Sequence, residues 1–235
     1  MNDFPAARLA LAKKLWNWTP HPTQRRWLLD GHKTKTAACG RRWGKTEAAA
    51  IDAASFALFH PGSAQMIVSP TYDQSRLIFD TVEKLLLANR ITERMVKIVR
   101  TPYPRAKVGR SVITARTADE DGRNLRGHSA DRVIVDEAAF VRDAVVEEVI
   151  SPMLADRDGQ LILISTPCGK NHFFRAFMKG FSLKEQAADG ENLYISERAG
   201  LPMDLSGGSF SACSRYASFR CPSWLNPHIS REYIE

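Results

Sequence analysis

The spacing of apolar and polar residues divides the chain into alternating helices and strands. Ala6–Trp18 has helical apolar spacing and stops at Thr19-Pro20, and "HPTQRRWLLD" opens a second short helix. "KTKTAAC", Lys33–Cys39, is a short strand. The stretch "KTEAAAIDAASFALFH" reads as a helix of Ala, Ile, Phe and Leu that ends at Pro61-Gly62. Ala64–Ser69 is a buried strand. "DQSRLIFDTVEKLLLA" is an amphipathic helix, with Leu77, Ile78, Val82, Leu85 and Leu86 expected on one side. Met95–Thr114 reads as short strands interrupted by "TPYPRAKVGR". In "ADRVIVDEAAF" the unbroken β-branched run Val133–Val135 is typical of a central parallel strand, with Asp136 and Glu137 at its end. A helix over Arg142–Ile150 and a last buried strand over Gln160–Ser165 follow. This alternation predicts an α/β domain with a mostly parallel sheet flanked by helices. Residues 1–179 form that core. Residues 180–235, poorer in apolar runs and containing "DLSGGSFS", are expected to be a small lid or linker subdomain with one clear strand at "NLYIS".

Composition narrows the class. At 44% hydrophobic and 25% charged residues, the 235-residue chain is rich enough in apolar side chains to bury a core. No apolar run approaches the roughly 18 residues of a membrane span, and Met1–Lys14 lacks a signal-peptide pattern, so a cytosolic location without membrane contact is expected. The four cysteines form no C-x-x-C pair, which argues against a zinc site and for reduced thiols. Net charge is +7, and Lys97–Arg132 holds nine Lys or Arg against four acids. Such a concentration points to a polyanionic partner.

The chemistry lies at strand ends. In "AACGRRWGKTEAAA", Gly44, Lys45 and Thr46 follow a strand and open a helix, the setting of a phosphate-binding loop. Backbone N–H groups converge there on phosphate oxygens, the Lys neutralises the β/γ-phosphates and the hydroxyl reaches Mg²⁺. Cys39 replaces the loop's usual first Gly, and Gly40, Arg41, Arg42 and Trp43 complete the loop. The Asp136-Glu137 pair is the expected partner of such a loop: Asp136 holds the metal through water, and Glu137 orients and deprotonates the attacking water. Taken separately, a strand-end acid pair also caps a following helix. Gln24 carries an amide whose donor and acceptor match an adenine edge. Ser165 and Thr166, at the tip of another strand, are placed to sense a γ-phosphate or to cap the next turn.

The segments "HPTQRRWL", "GRRWGKT", "SPTYDQSRLIFD", "LRGHSADRVIVDEAAFV", "LILISTPCGKNHFF" and "CPSWLNPHI" together resemble the N-terminal ATPase domain of the large terminase subunit of tailed bacteriophages, in that family's order, from about Pro20 onward. The resemblance implies a RecA-like P-loop NTPase that binds ATP and Mg²⁺ and drives double-stranded DNA into a procapsid. It also implies a homo-oligomeric ring, usually of five subunits, docked on the portal protein and supplied by a small terminase subunit. Such a protein works in the host cytoplasm, transiently at the portal, and is not expected in the mature virion. By the same resemblance an arginine completes the neighbouring subunit's site; Arg126 in "LRG" is the expected finger, with Arg41 and Arg42 as alternatives. Nuclease activity, which the resemblance places in a second domain, is not expected from these residues, since only Asp204, Glu232 and Glu235 follow Glu197, too few acids for a two-metal site. Two other readings share these motifs: a helicase-like translocase, and a nucleotide-gated DNA-binding or assembly module with little turnover.

Overall fold

The computed structural model describes residues 5–180, 215–223 and 226–228. The elements are α1 (Pro5–Trp16), α2 (Pro22–Leu29), β1 (Thr34–Cys39), α3 (Lys45–Phe59), β2 (Ala64–Ser69), α4 (Tyr72–Ala88), α5 (Arg90–Glu93), β3 (Val96–Val99), β4 (Arg105–Val108), β5 (Ser111–Thr117), β6 (Arg132–Asp136), α6 (Ser151–Ala155), β7 (Gln160–Ser165), α7 (His172–Gly180) and β8 (Tyr216–Cys221). They build one sheet ordered β3-β4-β5-β2-β6-β7-β1-β8. From β5 to β8 all neighbours pair parallel; β3 and β4 form an antiparallel ribbon at one edge.

Strands β6, β7 and β1 are adjacent, so their C-terminal ends meet. The register sets Ala38 beside Ser165 and Asp136 beside Ile164. Ligands of open parallel sheets bind outside such strand ends. One sheet face is covered by α1 to α4, whose core includes Trp27, Phe79 and Ile78. Six alanines of α3 are buried, which lets the helix backbone approach the sheet closely. The other face packs against the turn before β6, the segment after it and α7, through Leu125, Val145, Ile150 and Phe173.

Several elements differ from the sequence reading. Leu77 points outward at 59% exposure, while Phe79 takes its place beside Ile78, Val82 and Leu86. The 3.6-residue period brings 78, 79, 82 and 86 to one face and leaves 77 at its rim. Strand β4 lies inside the stretch read as an interruption. Val145–Ile150 winds as a π-helix that runs into α6. The core is not confined to residues 1–179: β8 comes from the expected lid or linker and is the sheet's edge strand beside β1. "NLYIS" falls outside the described residues.

A charged cluster lies inside the first core. Asp52 of α3 is fully buried and accepts from Arg8 at 2.6 Å, with Arg132 at 3.1 Å from its other carboxylate oxygen. Lys35 of β1, also fully buried, donates to Trp27 O at 3.0 Å and sits over the Trp27 ring. Arg132 stacks on Phe56 and donates to Gln160 at 2.6 Å. Arg132 thus belongs to the interior and not to the basic surface that its neighbours in sequence suggested.

Candidate active site

The chain from Gly40 to Thr46 turns from β1 into α3 with Arg42 at φ 61° and Gly44 at φ 92°. Left-handed residues at alternate positions swing consecutive N–H groups to one side, which makes an anion-binding nest at a helix N-terminus. Gly44 suits that conformation, whereas Arg42 carries a side chain through it at some strain. Lys45 and Thr46 are the first two residues of α3.

Four successive carbonyls of this loop, Arg41 to Gly44, each have a side-chain donor. Ser223 donates to Arg41 O at 2.6 Å and Asn226 to Arg42 O at 2.7 Å. His21 Nε2 donates to Trp43 O at 3.0 Å, and Gln24 Nε2 lies 3.4 Å from Gly44 O. Burial lowers the His21 pKa; the bond to Trp43 opposes this and the nearby His228 adds to it, so the ring is a neutral donor. The other end of the Gln24 amide accepts from His21 N at 3.2 Å and caps α2. Both ends of that amide are therefore engaged. The Trp43 indole is buried between His21 and Trp27 and donates to Thr23, so only its backbone faces a ligand.

Opposite the loop, Glu137 adopts φ 48° and ψ 43°, a left-handed conformation that turns its side chain back over the strand ends. One carboxylate oxygen pairs with Lys45 Nζ. The other accepts from Ser165 Oγ at 3.2 Å and from Thr166 Oγ1 at 3.4 Å. Asn171 and His172, at the start of α7, brace the following backbone by donating to Ala139 O at 2.6 Å and Ala138 O at 2.9 Å. Asp136 is 5% exposed, and its Oδ1 has no hydrogen-bond partner. Burial raises its pKa to about 6, against the attraction of Lys45. An orphaned buried carboxylate oxygen beside a phosphate loop fits the outer coordination of a divalent cation, with the Thr46 hydroxyl as the direct ligand.

Gly40 to Thr46, Gln24, Asp136, Glu137, Ser165 and Thr166 are thus brought to one place. Arg126 is not. It is exposed and lines a cleft with Glu120, Arg123, Arg142 and Glu148 that contains no loop residue. His21, Ser223 and Asn226 were not anticipated as part of the site; the only hint was their position in the quoted segments "HPTQRRWL" and "CPSWLNPHI".

Residues 37–201 match the family "Terminase large subunit, T4likevirus-type, N-terminal". The large terminase subunit of Thermus virus P23-45 is 36% identical over 190 residues, covering 73% of this chain and 39% of that protein. The chain therefore spans well under half the length of that curated relative. The large terminase ATPase domain of Thermus phage P74-26 superposes with a TM-score of 0.71 at 28% identity, covering 90% of this chain and 84% of that one. The large terminase of another thermophilic bacteriophage, in complex with ATP-γ-S, shares the fold, with a TM-score of 0.59 at 11% identity, covering 92% and 48%. The fold is RecA-like, and the chain belongs to the family of large terminase subunits, in the portion that family describes as N-terminal.

Proposed function

We infer that the chain is the ATP-hydrolysing motor portion of a viral DNA-packaging terminase. The observation that carries this reading is the Lys45–Glu137 pair, which joins the phosphate loop to the strand-end acid at one site. An ATP phosphate entering the nest takes Lys45 from Glu137. The freed carboxylate, still held by Ser165 and Thr166, is then available to orient a water molecule and accept its proton. Binding thereby arms the base. Thr46 and Asp136 would hold Mg²⁺, which supplies charge neutralisation on the phosphates when bound. Gln24 would read adenine by exchanging its loop contacts for the base.

The position of Arg126 supports a role on a neighbouring subunit, within a homo-oligomeric ring docked on a portal in the host cytoplasm and fed DNA by a small terminase subunit. No helix among the described residues is long and apolar enough to cross a membrane. Specific ATPase activity is expected to rise with protein concentration and to fall about 10³-fold or more in Arg126→Ala under assembling conditions. Flat specific activity through the assembly range would remove the finger from Arg126. Steady-state hydrolysis across a concentration series is the test of the whole reading.

The β3–β4–β5 ribbon supports a DNA-facing surface. Lys97 lies directly across from Lys107, with Arg105 beside Thr114. Like charges opposed on a sheet destabilise it unless a polyanion neutralises them. Arg116 lines the adjoining cleft of about 550 Å³ with Tyr103, over whose ring it stacks at 4.3 Å. Lys97→Ala/Lys107→Ala is expected to reduce the slope of log K against log salt for duplex binding by about 2. An unchanged slope in filter-binding titrations would place the DNA path elsewhere.

A further inference from the structure

We propose that Ser223 and Asn226 are positioning residues of the phosphate loop, and that they make the chain after β8 a nucleotide-dependent latch. The inference rests on the reading of the loop as the ATP site and adds residues far from the loop in sequence. A phosphate nest needs its N–H groups pointing inward, so its carbonyls must point outward and be satisfied there. Water can do this, but a fixed donor also selects the loop conformation. Arg41 O and Arg42 O receive fixed donors from Ser223 and Asn226, at 2.6 and 2.7 Å. Arg42 is the loop residue in the strained left-handed region, the place where an outside restraint has most to hold.

The latch is itself braced. Asn226 N donates to Ser223 O at 3.0 Å, and Asn226 Oδ1 accepts from His228 N at 3.0 Å. It is led to the loop by β8, whose Cys221 pairs in register with Cys39 and accepts from Gly40 N at 2.8 Å. The approach is close enough to require glycine at position 40: a Cβ there would lie 2.7 Å from Ser223 N. Gly40 has no positive φ to explain its identity, so the contact with the latch explains it. The coupling is reciprocal: if a seated latch favours nucleotide, bound nucleotide favours a seated latch.

The test is ADP binding, which needs no turnover or assembly, measured by calorimetry on the full chain. Ser223→Ala/Asn226→Ala is expected to weaken the Kd for ADP about tenfold or more, with a cooperative melting transition recorded beside it to show that the variant is folded. Ser223→Thr, which keeps a hydroxyl, should restore affinity in the single-site comparison with Ser223→Ala. Gly40→Ala should reproduce the loss from the loop side. In the wild type, hydrogen exchange at the amides of Ser223, Asn226 and His228 should slow when ADP is added, a readout that needs no variant to fold. Wild-type affinity in the double variant, with Lys45→Ala binding nothing, would overturn the latch and leave the ATP site standing. A wild type that binds no nucleotide would overturn both.

Discussion

Glu137→Gln is expected to bind ATP at least as tightly as the wild type and to hydrolyse it about 10²–10⁴-fold more slowly. Two effects act in opposite directions because the residue has two partners. Gln cannot accept a proton from water, so the chemical step loses its base. Gln also forms no ion pair with Lys45, whose ammonium the Glu137 carboxylate holds. ATP must break that pair in the wild type and not in the variant. Ser165 and Thr166 can still donate to the amide oxygen, so the side chain keeps its place. Single-turnover hydrolysis together with equilibrium binding separates the two effects. Normal turnover in the variant would move the base to another residue, and weaker binding would show that the pair with Lys45 does not compete with ATP. Lys45→Ala removes the phosphate partner itself and should lose binding.

The largest effect on stability is expected at Asp52, fully buried in α3. Its carboxylate is in direct contact with Arg8 and Arg132, and Lys35 lies close by. Burial alone would raise its pKa, yet Arg132, Lys35 and Arg8 outweigh burial and hold it at about 2. Asp52→Asn keeps the shape and leaves buried cations uncompensated, a loss of about 3–5 kcal/mol at neutral pH. The pH dependence follows from Lys35. Burial lowers its pKa to about 8, with Asp52 opposing that shift. A Lys whose folded pKa lies below its unfolded value reduces stability while charged, and stability rises as pH climbs from about 8 toward the unfolded pKa of about 10.4. Without Asp52 the folded pKa of Lys35 falls further, so the variant begins that rise at lower pH than the wild type. Its deficit should therefore narrow as pH approaches about 8 and stay level above, where Lys35 is neutral in both folded proteins. Urea denaturation at about pH 6 and about pH 9 checks this. A deficit that is small at the lower pH, or that widens with pH, would contradict it.

Much of the site was legible in the sequence because its parts are local. Gly44-Lys45-Thr46 after a strand, Asp136-Glu137 after a β-branched run, and Ser165-Thr166 after another each announce themselves within a few residues, and parallel order brings those strand tips together. The grip on the loop's carbonyls was not legible. It joins Ser223 and Asn226 to Arg41 and Arg42 through side-chain to backbone bonds, which impose no periodicity on either segment. Arg132 was misleading for a similar reason. In sequence it continues a basic run, and only the placement of Asp52 on α3 draws it inward. Leu77 is the ordinary error of a helical face drawn one residue too wide. The strand β8 has a short apolar alternation that a mostly polar neighbourhood conceals.

The position of β8 also bears on how this protein tolerates being shortened. Strand β1 is flanked by β7 on one side, paired from Thr34 to Ala38, and by β8 on the other, paired from Thr34 to Cys39. A chain cut after Gly180 would retain every residue of the proposed catalytic group, yet it would turn β1 into an open edge. The amides and carbonyls that now face Tyr216–Cys221 would be free to recruit another strand, and edges of this kind drive self-association. The buried Ala217 and Phe219 would be lost from the core at the same time. The shortest well-behaved fragment is therefore set by completion of the sheet at Cys221, not by the last residue that touches the chemistry.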